Sequence, residues 1–165
     1  MNKLCSLSQL KSFIEEHKQK GRTVVLTNGC FDLIHVGHIR YLREAKKKGD
    51  VLVVALNSDS SVKKIKGKGR PILHQKERSE ILSSFHFVDH VVVFEEPTAA
   101  LILLTLKPHI HAKGSDYTEQ TVPEKEIVQS YGGKVAITGG PKVKSTSQIM
   151  KEIAFKVQSQ ESSSL

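Results

Sequence analysis

Short apolar segments alternate with amphipathic segments along nearly the whole chain. This pattern predicts strands over residues 23–27, 51–57, 88–94, 110–113 and 135–138, and helices over residues 8–19, 36–48, 75–84, 98–105, 123–131 and 147–157. A connection that contains a helix is long enough to return the chain so that the next strand pairs in parallel. The alternation therefore predicts an α/β fold with a doubly wound sheet of five parallel strands and helices on both faces.

The length and the apolar content favour one globular domain. With 165 residues, of which 38% are apolar, the chain has room for one ordinary core. We predict a single domain over residues 1–157, with an N-terminal helix and its lead-in over 1–21, and a disordered polar tail over 158–165. No apolar run reaches the roughly 18 residues of a membrane span and no secretory signal is recognisable, so we expect a cytoplasmic protein without a membrane partner.

Charge and cysteine content narrow the classes of ligand. The 25 Lys and Arg residues exceed the 17 Asp and Glu residues, which gives a formal charge of +8 and a surface suited to anions. Aromatic residues make up only 5% of the chain, and no nucleic-acid-binding signature occurs, so we expect phosphorylated small molecules and no nucleic acid as partners. Cys5 and Cys30 are predicted to be free thiols, and the scattered histidines predict no metal site.

Polar residues and glycines follow each predicted strand. Ligands of such sheets bind outside the carboxyl ends of the strands, so these segments are predicted to form one site. The segments are Asn28-Gly29-Cys30-Phe31-Asp32, Asn57-Ser58-Asp59, Phe94-Glu95-Glu96, Lys113-Gly114-Ser115-Asp116-Tyr117 and Thr138-Gly139-Gly140.

Two histidines stand at the turn between the first strand and the following helix, in the segment His35-Val36-Gly37-His38. The first backbone N–H groups of a helix lack intrahelical partners and its dipole is positive there, so an anion is favoured at this turn. Gly29 and Gly37 let the backbone approach a ligand closely. The turn therefore predicts a polyphosphate site.

The segment His35-Val36-Gly37-His38, coming after Gly29-Cys30-Phe31-Asp32, resembles the HxGH signature of the nucleotidyltransferase superfamily. Later segments occur in the order and approximate spacing of the D-glycero-β-D-manno-heptose 1-phosphate adenylyltransferases, and the resemblance covers residues 22–153. These segments are Asn57-Ser58-Asp59, Lys66-Gly67, Arg70-Pro71, Glu77-Arg78, Val88-Asp89, Phe94-Glu95-Glu96, Lys113-Gly114-Ser115-Asp116-Tyr117 and Ser145-Thr146-Ser147. The chain departs from the pattern at Ser115, where the family often has Gly, and at Ser147, where it often has a second Thr.

The resemblance implies a Rossmann-like fold of the nucleotidyltransferase type, with ATP and a heptose 1-phosphate as partners. It implies Mg²⁺ delivered with ATP, a homodimer, and a stand-alone form whose substrate comes from a separate heptose kinase. The implied reaction is attack of a sugar phosphate oxygen on the α-phosphorus of ATP, which yields ADP-heptose and pyrophosphate. The attacking oxygen is already an anion, so the protein must align charges and needs no general base. His35 and His38 are assigned that role; the alternative is that one histidine merely caps the helix.

Further site residues are assigned by position and by the resemblance. Lys66 and Arg70 lie in a basic stretch that we interpret as a flexible phosphate clamp or, alternatively, as a solvated face. Lys66 and Arg78 join the two histidines as catalytic candidates, although Arg78 could equally pair with Glu77 or Glu80 at the surface. The nucleotide-binding candidates are Asn28, Gly29, Cys30, Phe31, Gly37, Lys46, Lys113, Gly114, Ser145, Thr146 and Ser147, and the substrate-binding candidates are Asp32, Asn57, Asp59, Arg70 and Asp116.

Some assignments stay open. Ser145, Thr146 and Ser147 could cap a helix, bind phosphates, or do both, with Lys142 and Lys144 supplying nearby charge. Phe94 and Tyr117 are candidates for a base or sugar pocket, with core packing as the alternative.

Two other functions remain as alternatives. One keeps the fold and changes the substrate, as in a cytidylyltransferase acting on glycerol 3-phosphate or a phosphorylated amino alcohol, or an FMN adenylyltransferase. The other is a non-catalytic binder of nucleotides or nucleic acid. The segment from Lys113 to Tyr117 favours the heptose substrate, and the paired histidines argue against a mere binder.

Overall fold

The computed structural model describes residues 3–141 and 145–162. The helices are α1 (Leu7–Gln19), α2 (Val36–Lys46), α3 (Asp59–Lys66), α4 (Gln75–Ser84), α5 (Ala100–Leu106), α6 (Lys125–Ser130) and α7 (Thr146–Ser162). The strands are β1 (Val24–Gly29), β2 (Val51–Asn57), β3 (His90–Phe94), β4 (Ile110–Gly114) and β5 (Lys134–Thr138). No helix in these described ranges is both long and apolar enough to cross a membrane.

The five strands form one parallel sheet with the order β3-β2-β1-β4-β5. The predicted Rossmann-like α/β fold is therefore confirmed. Strand order reverses between β1 and β4, so this sheet has its switch point at the carboxyl end of β1. The pairing sets Val24 beside Val51 and Leu26 beside His111. This register determines which side chains lie at the carboxyl end of β1.

Two apolar layers hold the helices on opposite faces of the sheet. On one face, Leu10 of α1 and Leu103 of α5 pack over Leu26. On the other, Leu42 of α2 and Leu82 of α4 pack over Val54. The β2 strand is buried along its whole length, as expected of a parallel strand covered on both faces.

Helix α3 was not predicted, and it changes the interpretation of the basic stretch. The Ser58 hydroxyl caps the helix by accepting the Ser61 N–H at 3.1 Å, and Val62 is fully buried. Lys66 is the last residue of this helix, so only the loop from Gly67 onward lies outside regular structure. The prediction of a flexible clamp is wrong for the helical part, because the cap and the buried valine fix it to the sheet.

The C-terminal helix is longer than predicted. α7 runs to Ser162, so residues 158–162 are helical and not a disordered tail. The polar composition of this segment suggested fraying, but it contains no proline or glycine that would end the helix. Lys142 and Lys144, as well as residues 163–165 of the predicted tail, lie outside the described residues.

Candidate active site

A cavity of about 410 Å³ opens at the carboxyl ends of β1 and β4, between the N-termini of α2 and α7. Of the predicted site residues, all except Lys46, Asp59 and Arg78 line this cavity. The polar segments that follow β1, β4 and β5 meet there, and Asn57 represents the end of β2. The structure therefore brings most of the predicted residues together at the switch point of the sheet.

His35 and His38 occupy the N-terminus of α2 and cap it reciprocally. The Gly37 N–H donates to His35 Nδ1 at 3.1 Å, and the His35 N–H donates to His38 Nδ1 at 3.4 Å. The two ring centroids are 4.0 Å apart, and both rings line the cavity. One expectation, that a histidine caps the helix, thus holds for both rings, and only their Nδ1 atoms are used for it.

The cap also determines the protonation state of the two rings. An Nδ1 atom that accepts a backbone N–H carries no proton, so in the neutral ring Nε2 is the donor. Burial, and to a smaller extent the neighbouring His35, lowers the pKa of His38 to about 4. Burial also lowers the pKa of His35. At neutral pH the pair therefore offers two uncharged N–H donors to a ligand in the cavity.

Three cationic side chains of the described residues line the same cavity. Lys66 ends α3, Arg70 follows in the next loop, and Lys113 lies on β4. The Lys113 ammonium is 3.5 Å from the Glu124 carboxylate and 4.9 Å from the centre of the Tyr117 ring. Positive charge around a polar cavity at two helix N-termini is the arrangement that binds a polyphosphate.

Asp32 holds the loop that carries Arg70. Its Oδ1 atom accepts the N–H groups of Ile72 and Leu73 at 2.8 and 3.1 Å. Its other oxygen, Oδ2, lies 3.2 Å from Arg70 Nε. Asp32 lines the cavity, and these contacts show a carboxylate that organises the loop carrying Arg70.

The N-terminus of α7 faces α2 across the cavity. Ser145 caps α7, because its hydroxyl accepts the Gln148 N–H at 3.2 Å while its own N–H donates to the Gln148 side chain at 2.8 Å. The Thr146 hydroxyl donates to the Leu33 carbonyl at 3.3 Å. Ser145, Thr146 and Ser147 all line the cavity, so capping and a cavity position coexist.

Arg78 does not reach the cavity, and its assignment as a catalytic residue is corrected here. It is fully buried and donates to the carbonyls of Leu73, Cys30 and Asn57. Its other terminal nitrogen donates to the Asp59 carboxylate at 2.7 Å. Arg78 is therefore a tie between the loops after β1 and β2, and neither the phosphate role nor the surface ion pair applies.

Asp59 likewise does not line the cavity, so its assignment as a substrate-binding residue is corrected as well. Burial alone would raise the pKa of its carboxyl group, but the hydrogen bonds from Arg78 and His74 outweigh this effect and lower it. The Asp59 carboxylate therefore forms its ion pair with Arg78, behind the cavity wall.

Lys46 lies at the wrong end of its helix to bind a nucleotide. Eleven residues at 1.5 Å each separate the ends of α2 by roughly 16 Å. Lys46 pairs with Asp89 at 2.6 Å and donates to the Asp50 carbonyl. Phe94 also stays out of the cavity, since it belongs to the core.

Sequence reasoning missed several residues at the site. Tyr41 lines the cavity, and its hydroxyl donates to the Ala112 carbonyl at 2.9 Å, which anchors α2 to β4. Its position three residues after His38, on the same face of the helix, was the available signal. Pro141 lines the cavity as well, and His111 lies buried behind it.

Two carboxylates that face the cavity, Asp32 and Asp116, do not form a metal cage. Among residues 3–141 and 145–162 there is no group of three or more His, Cys, Asp or Glu side chains arranged to hold a metal ion.

Comparisons with known proteins agree with this geometry. A family model described as cytidylyltransferase-like matches residues 26–160. The chain is 45% identical over 152 residues to the bifunctional protein HldE of Pelobacter propionicus, and 46% identical over 151 residues to that of Geobacter metallireducens. Each match covers 92% of this chain and 31% of the relative, so the chain spans about a third of the length of these curated relatives.

Solved structures show the same fold. A lipopolysaccharide core biosynthesis protein from Thermoplasma volcanium GSS1 is 33% identical, with a TM-score of 0.59 over 71% of this chain and 94% of that chain. A pantoate-beta-alanine ligase from Francisella tularensis, solved with Beta-gamma ATP and beta-alanine, is 17% identical, with a TM-score of 0.63 over 87% of this chain and 68% of that chain. The second likeness concerns the fold alone.

Proposed function

The chain belongs to the cytidylyltransferase-like family, and from that membership we propose that it transfers the adenylyl group of ATP to a heptose 1-phosphate. The products are ADP-heptose and pyrophosphate. Three findings support the substrate: the resemblance of the motifs to heptose 1-phosphate adenylyltransferases, the similarity to proteins named HldE, and the similarity to a lipopolysaccharide core biosynthesis protein.

The observation that carries the proposal is the pair of neutral N–H donors on His35 and His38. A binding protein needs only positive charge, which Lys66, Arg70 and Lys113 supply. Two fixed donors side by side at a helix N-terminus suit an oxygen whose negative charge grows during reaction. In nucleotidyl transfer, that oxygen belongs to the phosphates of ATP.

The proposed reaction is one displacement at phosphorus. An oxygen of the sugar phosphate forms a bond to the α-phosphorus of ATP, while the bond from that phosphorus to the oxygen bridging the α- and β-phosphates breaks. The bridging oxygen leaves with pyrophosphate and takes the electron pair. No proton must be removed from the nucleophile, so alignment and charge stabilisation carry the catalysis.

Each part of the cavity has a role in this scheme. His35 and His38 stabilise the charge developing on the phosphate oxygens, and the N-terminus of α7 binds the pyrophosphate portion together with Lys66. Arg70 holds the second anion, the sugar phosphate, and Lys113 is assigned to the nucleotide. ATP enters as its magnesium complex, which lowers the repulsion between the two anionic substrates.

The substrate requires a preceding phosphorylation of a heptose by a kinase-type reaction. A separate kinase and a homodimer, which the resemblance implies, stay predictions, as does the cytoplasmic location.

The test is pyrophosphate release with D-glycero-β-D-manno-heptose 1-phosphate and, in parallel, ATP, CTP and GTP. We expect turnover with ATP, a product with the mass of ADP-heptose, and a loss of roughly 10² to 10³ in kcat for His38→Ala. His86→Ala is the matched control, because His86 is exposed and does not line the cavity. Turnover only of CTP with glycerol 3-phosphate would replace the substrate, and binding without any pyrophosphate release would replace the enzyme by a binder.

A further inference from the structure

His111 is a fully buried histidine directly behind the cavity. It lies on β4, and the pairing of β4 with β1 sets it beside Leu26. Side chains two residues apart in a strand share a face, so Lys113 follows His111 on the same face. Asn28 follows Leu26 on β1 in the same way, and the three polar side chains meet at the floor of the cavity.

The contacts define which way the Asn28 carboxamide points. Its oxygen lies 3.0 Å from His111 Nε2 and 3.3 Å from Lys113 Nζ. An ammonium group donates hydrogen bonds and accepts none, so the atom that faces Lys113 must be the oxygen. His111 Nε2 must then carry a proton and donate to the same oxygen. The amide nitrogen of Asn28, with its two N–H groups, is left for the cavity that Asn28 lines.

The opposite orientation of Asn28 is excluded by charge. It would place an N–H₂ group against the Lys113 ammonium, where two donors face each other and repel. His111 and Lys113 together therefore favour one orientation of this side chain.

His111 stays in the required state over the ordinary pH range. Burial, followed by the charge of Lys113, lowers the pKa of His111 to about 3. Its Nδ1 atom is buried and has no hydrogen-bond partner among the described residues. An unpaired buried nitrogen destabilises a fold. An aliphatic side chain at this position would not have that cost. The hydrogen bond to Asn28 is thus what a histidine adds at this position.

We propose that His111 is a positioning residue, which fixes the Asn28 carboxamide so that its N–H groups bind phosphate oxygens of the nucleotide. The identity of the nucleotide rests on the proposed function; the orientation of Asn28 does not. Asn28 would touch the ligand, whereas His111 acts only through Asn28.

The test compares two substitutions of His111. His111→Leu keeps an apolar side chain and removes the donor, whereas His111→Gln places an amide N–H near the position of the imidazole Nε2. We expect kcat/KM for ATP to fall about tenfold in His111→Leu, the loss of one oriented hydrogen bond, and to recover to within about threefold in His111→Gln. His86→Leu is the control, because His86 is exposed and lies outside the cavity.

A double-mutant cycle separates positioning from a merely structural role. If His111 acts through Asn28, His111→Leu causes no further loss of kcat/KM in an Asn28→Ala background. An additive loss, or a loss that follows the melting temperature and is not recovered by His111→Gln, would overturn the proposal.

Two further readouts do not depend on turnover of a sugar phosphate, and the second of them, the NMR measurement, needs no nucleotide either. Calorimetric titration with MgATP should show the same tenfold weakening in His111→Leu and recovery in His111→Gln, even if no sugar phosphate is turned over. ¹⁵N NMR of the wild-type imidazoles should show His111 protonated at Nε2. Protonation at Nδ1, or equal MgATP affinity in wild type and His111→Leu, would overturn the proposal, and the NMR result stands even if His111→Leu fails to fold.

Discussion

The imidazole rings of His35 and His38 lie 4.0 Å apart, and each accepts a backbone N–H of the turn that begins α2 through its Nδ1 atom. Helix capping and ligand binding are therefore tasks of different atoms on the same rings. Nδ1 serves the helix, and its hydrogen bond leaves the proton on Nε2. Because the two tasks use separate atoms, substitutions can separate them.

His35→Asn is expected to keep the cap and lose the catalytic donor. Asparagine is among the best N-cap residues, so its side-chain oxygen can replace Nδ1 as acceptor for the Gly37 N–H. We expect the melting temperature to stay near that of wild type while kcat falls roughly 10²-fold. His35→Ala should show the same loss of kcat and, in addition, about 1 kcal/mol lower stability. Thermal denaturation and pyrophosphate release measure the two effects, and unchanged kcat in His35→Asn would refute the donor role.

Arg78→Met is expected to act on stability. The substitution removes the donors for three backbone carbonyls and leaves the Asp59 carboxylate without its buried partner. Each carbonyl left without its donor costs about 1 kcal/mol or more, so the combined loss lowers the melting temperature by roughly 10 °C in a domain of this size. Calorimetry gives the stability, and kcat is measured at low temperature on folded protein. A large loss of kcat at an unchanged melting temperature would instead support direct phosphate contact by Arg78.

Lys66→Ala and Lys46→Ala form a matched pair, since both lysines end a helix. Lys66 lines the cavity, so we expect KM for ATP to rise about fivefold at low salt, and the effect to shrink as salt screens the charge. Lys46 pairs with Asp89 at the far end of α2, so its loss should leave kcat/KM within about twofold and cost about 1 kcal/mol of stability. Steady-state kinetics of both variants at two salt concentrations measure KM for ATP and kcat/KM. Equal effects of the two substitutions would contradict the placement of Lys46 away from the cavity.

The strands and the site at the switch point could be predicted because their signals are local. Apolar runs bounded by glycine and polar residues mark the strands, and polar residues at the strand ends mark the rim. Helix α3 was missed since Val62 and Ile65 are its only large apolar residues, and its lysines suggested a loop. Lys46 was misplaced although the length of α2 already put it far from the rim.

The burial of Arg78 left no trace in the sequence. Its partners are mainly the backbone carbonyls of Cys30, Asn57 and Leu73. Because every residue has a carbonyl group, no residue type in the sequence identifies these partners. His111 is similar, since its role depends on a strand pairing with β1 that brings Asn28 next to it. Long-range backbone acceptors and strand register are properties of the fold, and only the structure reveals them.

The buried neutral state of His111 predicts how stability depends on pH. Its pKa in the folded protein is about 3, whereas an unfolded histidine has a pKa near 6.5. Between these values the unfolded chain binds more protons, so protonation favours unfolding, and the free energy of unfolding falls as pH decreases from 6.5 toward 3. One such group contributes a slope of up to about 1.4 kcal/mol per pH unit.

His111→Gln removes this titration because glutamine takes up no proton. We therefore expect the wild type to lose stability relative to His111→Gln as pH falls from 6.5 to 4, and the difference between them to be constant above pH 7. Urea denaturation at several pH values measures it, with His86→Gln as the control for an exposed histidine. Parallel stability curves for wild type and His111→Gln across this range would show that His111 is not held neutral, because a group with equal pKa in both states adds no slope.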